Sequence, residues 1–141
     1  MKKLILCTLF VLLLASCESK YEKSVRDLES NIWIIDDQKL NNSITTDIVD
    51  KNIHRFTDGD IYVYDLLGNP LNVFEYEKVD DNGNLKIIVE NIYSHKKQRF
   101  SVVVSDFQLV MINTEDGNLT QTNYHLLKDS TIIKKIIENN F

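Results

Sequence analysis

The chain has 141 residues and a formal net charge of −5, with 43% hydrophobic residues. That length suits one domain, and the acidic balance makes nucleic acid and anionic headgroups poor partners for its bulk. Its only cysteines, Cys7 and Cys17, are too few for a disulfide framework.

The first sixteen residues read as a secretory signal: Met1, two lysines, an apolar run from Leu4 to Leu14, then small residues. As a helix that run would span roughly 16 Å, about half of a ~30 Å bilayer core, so it is too short to remain as a spanning anchor. Leu14-Ala15-Ser16-Cys17 resembles the lipobox of bacterial lipoproteins. The resemblance implies cleavage before Cys17 and a diacylglyceryl thioether on its sulfur. Permanent attachment needs two or more acyl chains, since each buried methylene contributes about 0.8 kcal/mol. By analogy with enteric lipoproteins, Glu18 in place of aspartate favours the outer membrane, in the periplasmic leaflet or at the cell surface, over the inner membrane. Loss of residues 1–16 also removes Lys2, Lys3 and Cys7, leaving residues 17–141 with a formal charge of −7. With Cys17 lipidated, no thiol remains for a disulfide, a zinc site or a nucleophile, and stability rests on packing.

Residues 17–30 are read as a lipidated tether carrying a short helix or a partly ordered stalk. Tyr21, Val25 and Leu28 share one helical face, and Glu22–Arg26 and Lys23–Asp27 are i, i+4 opposite-charge pairs. Residues 31–141 then read as one β-rich domain. Ile32 to Ile35 is β-branched and aromatic, a strand; a weak strand is expected at 44–49. Further strands follow at Ile53 to Thr57, Ile61 to Tyr64, Leu71 to Glu77 and Leu85 to Glu90. Phe100 to Val104, Phe107 to Met111 and Thr122 to Leu127 complete the set. Asp-Gly and Asn-Gly between these runs tolerate the positive φ of tight hairpins, so consecutive antiparallel strands are expected. Asp129-Ser130 caps a last helix with Ile132, Ile133, Ile136 and Ile137 on one face. Isoleucine is a poor helix former, so that helix needs a surface to dock on.

The order Leu28-Glu29-Ser30-Asn31-Ile32-Trp33, a polar stretch, and then Arg55 to Tyr64 with Phe56-Thr57-Asp58-Gly59 is similar to small lipocalin-like lipoproteins of Bacteroidota. In those proteins a leucine-x-glycine-x-tryptophan start precedes a phenylalanine-x-x-glycine hairpin. The similarity covers residues 28 to about 128, and Ser30 stands where the family usually has glycine. It implies an antiparallel meander or lipocalin-like barrel, mostly β, with a short N-terminal and a C-terminal helix.

Chemistry-bearing motifs are lacking: there is no His-Glu-x-x-His, no Gly-x-Ser-x-Gly and no phosphate-binding glycine loop. No catalytic residue, metal site or cofactor is therefore expected, and the protein reads as a non-enzyme. His54, His95 and His125 are read as ordinary surface or edge histidines. Asp80-Asp81-Asn82-Gly83-Asn84 lacks the spacing of a calcium loop and reads as a hairpin turn. The aromatic residues Trp33, Tyr62, Tyr64, Phe74 and Tyr76 carry two readings: packing of one sheet face, or a lined cavity for an apolar or aromatic ligand. Two functions follow. One is a lipid-anchored, non-catalytic binding module holding a small apolar ligand. The other is a protein-interaction lipoprotein, such as an immunity protein or envelope-hydrolase inhibitor, that captures a basic protein by electrostatic steering.

Overall fold

A computed structural model describes residues 18–41, 43–44, 51–91, 93–114 and 117–139. The signal segment and Cys17 lie outside the described residues, as do residues 45–49 of the weak strand expected over 44–49.

Helix α1 (Lys20–Glu29) is followed by strands β1 (Ile32–Leu40), β2 (Ser43–Ile44), β3 (Ile53–Phe56), β4 (Asp60–Tyr64) and β5 (Pro70–Asp81). Then come β6 (Asn84–Glu90), β7 (Lys97–Val104), β8 (Gln108–Asn113), β9 (Thr120–Leu126) and helix α2 (Ser130–Glu138). Each strand from β3 to β9 pairs antiparallel with the next. β1 pairs with β3 on one side and β9 on the other, closing an eight-stranded antiparallel barrel to which β2 is a short addition. The expected β-rich, lipocalin-like barrel with two helices is the architecture found.

Several boundaries differ from the sequence expectation, and for β1 and β5 the reason is tertiary. β1 runs on through Asp37-Gln38-Lys39 because these residues pair with Asn123, Thr122 and Gln121 of β9, past a bulge after Ile35. β5 continues to Asp81 because Lys78 to Asp81 pair with β6 beyond the reach of β4. Phe107 precedes β8, and its side chain is exposed in the β7–β8 turn. The Asp81-Asn82-Gly83-Asn84 turn has φ of +53° at Asn82 and +83° at Gly83, the left-handed pair that two-residue hairpins use. Ser30 caps α1 in ordinary right-handed geometry and donates its N–H to the Arg26 carbonyl at 2.9 Å. No glycine is needed there.

α1 closes one end of the barrel, the floor. Leu28 is fully buried in the interior cluster with Trp33, Phe56, Tyr76 and Ile87, and Tyr21 and Val25 pack beside them. The Trp33 indole Nε1 donates to the Leu28 carbonyl at 3.0 Å, satisfying one of the helix's terminal acceptors. The Tyr76 hydroxyl donates to Glu29 Oε1 at 2.6 Å, with the Thr57 carbonyl oxygen 2.5 Å away. Lys78 Nζ bridges Glu29 and Asp58 at 2.9 and 2.6 Å.

α2 packs on the outside of the barrel, where Ile136 is fully buried with Ile32, Ile53, Tyr64 and Leu127. Gly68 has φ of +76° and lies against this helix; an added Cβ would sit 3.4–3.5 Å from Ile132, Lys135 and Ile136. Lys135 Nζ ties the same loop down through the Leu67 carbonyl and Asn69 Oδ1, at 2.9 and 2.7 Å. Ile136→Ala should therefore cost about 2–5 kcal/mol, read as a lower urea midpoint; an unchanged midpoint would mean that α2 adds nothing to the domain's stability.

Candidate functional site

The barrel end opposite α1 is the mouth, and an open pocket of about 260 Å³ descends from it between the strands. Alternation places its lining. β1 contributes Ile35 and Gln38, β3 His54 and Phe56, β4 Ile61, and β5 and β6 Phe74 and Val89. Gln98 and Phe100 of β7, Met111 of β8, and Thr122 and Tyr124 of β9 complete the wall. No Asp, Glu, Lys or Arg is among these residues.

The wall mixes aromatic and aliphatic side chains with neutral hydrogen-bonding groups: Gln38, His54, Thr122 and Tyr124 on the adjoining β1, β3 and β9, and Gln98 on β7. Gln38 Nε2 donates to Thr122 Oγ1 at 3.3 Å. The Tyr124 hydroxyl lies 3.5 Å from His54 Nδ1, and the two rings are 5.4 Å apart at a tilt of 57°. Burial pushes the His54 pKa down to about 4 and raises that of the Tyr124 hydroxyl, so both are neutral at physiological pH. The site thus offers apolar contact and neutral polar partners, with no electrostatic hold for an ion.

The depressed His54 pKa makes stability pH-dependent. Between about pH 6.5 and 4 the unfolded chain binds a proton that the folded ring refuses, so stability falls as pH falls through that window. The loss attributable to this one ring is about 2–3 kcal/mol. His54→Gln should flatten the fall when urea midpoints are compared from pH 7 down to pH 4, and an unchanged slope would place the acid sensitivity elsewhere.

The five aromatic candidates do not converge. Phe74 lines the pocket. Trp33 and Tyr76 lie deeper, in the buried floor against α1. Tyr62 and Tyr64 are on the outer face of β4, in the cluster beneath α2, so neither reaches the interior. His54 corrects the reading of all three histidines as surface or edge residues, since its ring lines the pocket. His95 is exposed in the β6–β7 turn beside Glu90 at 3.2 Å, and His125 is on the outer face with Nδ1 2.5 Å from Asp36 Oδ1. Gln38, Gln98, Thr122 and Tyr124 were not legible as site residues. The signal that could have found them is a neutral polar residue at an inward position of the strand alternation.

Among the described residues, no three His, Cys, Asp or Glu side chains are grouped to hold a metal ion, and no helix is long and apolar enough to cross a membrane. No protein-family model and no curated protein sequence matches the chain.

Proposed function

We propose that the chain is a lipid-anchored cell-envelope lipoprotein whose barrel is a non-catalytic binding module for a small, uncharged, largely apolar ligand. The observation that carries the ligand reading is the open pocket, lined by no charged side chain but by four neutral polar groups and His54. Its volume supports a size: a cavity of about 150 Å³ holds benzene, so 260 Å³ suits a ligand of roughly ten non-hydrogen atoms. The anchor reading rests on Leu14-Ala15-Ser16-Cys17, with the outer membrane favoured by Glu18.

Capture of a basic protein is the second reading, and one feature of the outer face favours it. A groove of about 210 Å³ over β4–β6 is lined by Asp58, Asp60, Glu75, Glu77 and Glu90, with Lys97 as its only cation. Such a surface would speed encounter with a cationic partner.

Two measurements test the proposal. Cys17→Ser should move the protein from the membrane to the soluble fraction; continued membrane association would remove the anchor. Native mass spectrometry of that soluble form should then show a co-purified small molecule. A clean apo mass together with sub-micromolar binding to a basic envelope enzyme would replace the first reading with the second.

A further inference from the structure

We infer that the floor of the barrel, around the start of α1, lies directly against the lipid bilayer and that the pocket mouth opens away from it. The inference rests on lipidation of Cys17 and goes beyond it, because an anchor alone leaves orientation open.

The tether is too short to act as a stalk. Ser19 is the N-cap of α1 in a complete capping box: Glu22 N–H donates to Ser19 Oγ at 3.1 Å, and Ser19 N–H donates to Glu22 Oε2 at 2.9 Å. Ordered helix therefore begins immediately after Ser19, and Glu18, the one residue between Ser19 and Cys17, is itself paired with Arg26. Two Cα steps reach about 7 Å at most, so the acylated sulfur cannot stray far from the floor. Nor can α1 swing out as an extension of the tether. Doing so would expose Leu28, strip Trp33 of its carbonyl partner and break the Glu29 bonds to Tyr76 and Lys78.

The surface surrounding that attachment point suits a bilayer interface. Lys20 and Ser24 of the first turns share a groove of about 340 Å³ with Asn84 and with Val103 and Val104 at the floor end of β7. Val103 is 60% exposed, and Phe107 in the next turn is 62% exposed with Lys128 Nζ 5.4 Å from its ring centroid. Two bare apolar side chains with lysines at hand can seat in the headgroup boundary once the anchor holds them there. The opposite end is well clear. β1 spans the barrel wall with nine residues, which at the usual rise and barrel tilt is a height of roughly 20–25 Å. Leu40, Leu66, Leu67, Leu71 and Tyr93, exposed at the mouth end, would thus face the envelope space instead of lipid.

Because the mature chain has no cysteine besides Cys17, single labels report orientation cleanly. Val103→Cys at the floor and Tyr93→Cys at the rim would each be made in the full chain, matured in a lipidating bacterial host and labelled with a small fluorophore. The labelled proteins would be placed in phosphatidylcholine vesicles containing shallow nitroxide-quencher lipids. The inference requires strong quenching at position 103 and none above background at position 93. Equal quenching at both positions, or the reverse order, overturns the orientation while leaving the anchor standing. A protein that does not stay on the vesicles overturns the anchor and the orientation with it. Inserting a Gly/Ser linker of about ten residues, roughly 17 Å in root-mean-square span, between Glu18 and Ser19 should abolish quenching at position 103 without loss of vesicle retention. Persistent quenching there would overturn the short tether as its cause.

Discussion

Replacing Trp33 with alanine is expected to remove about 4–8 kcal/mol of the domain's stability. Trp33 is fully buried between the barrel interior and α1, and deleting such a ring typically costs about 3–5 kcal/mol. The same change orphans the Leu28 carbonyl that the indole N–H satisfies, adding about 1–3 kcal/mol. Small domains have about 5–15 kcal/mol in total, so a sum of about 4–8 kcal/mol is comparable with the whole only at the low end of that range. Trp33→Phe separates the two contributions, because it keeps most of the packing and loses the donor; it should cost about 1–3 kcal/mol. Urea unfolding followed by far-ultraviolet circular dichroism checks both variants. A Trp33→Ala protein with the wild-type midpoint would mean that α1 is not the plug of the barrel.

The second large effect is on binding. Val89 lines the pocket, paired in register with Tyr76 on β5 and Gln98 on β7. Indole is neutral, carries one donor and has about ten non-hydrogen atoms, so it fits the volume that the pocket offers. At small-ligand efficiencies it should bind with about 5–6 kcal/mol, or roughly 40–200 micromolar. Val89→Trp would occupy the same space with a covalently attached indole and should weaken titrated indole at least about tenfold. Filling a tightly packed interior normally costs about 1–3 kcal/mol, whereas filling an open pocket should leave the urea midpoint level or raised. Loss of binding with stability retained is the expected pair of results. Indole binding unaffected by Val89→Trp would place the ligand outside the barrel.

Several features of this protein were decided by the chain's local chemistry. Period-two alternation in Leu85 to Val89 and in Phe100 to Val104 marks strands whatever surrounds them, and Asn82-Gly83 supplies the turn geometry without tertiary help. The isoleucine stripe from Ile132 to Ile137 likewise announces a helix that must dock. These signals live within a few residues, so a reader of the sequence alone can see them.

Closure is different. β1 meets β9 across more than eighty residues, with Asp37, Gln38 and Lys39 held as strand by partners that nothing nearby reveals. Closure also decides which face of each strand is inside. In β4, Ile61 and Val63 alternate with Tyr62 and Tyr64, so both faces are apolar and the pattern cannot choose between them. The choice is made by α2, which covers the tyrosines from outside. His54 acquires its low pKa and its place in the pocket only because the wall wraps around it. The sequence by itself determined the turns and most of the strands, since each is written in short-range periodicity or a short motif. Only the tertiary structure decided inside from outside, because burial is a property of the closed surface and not of any segment.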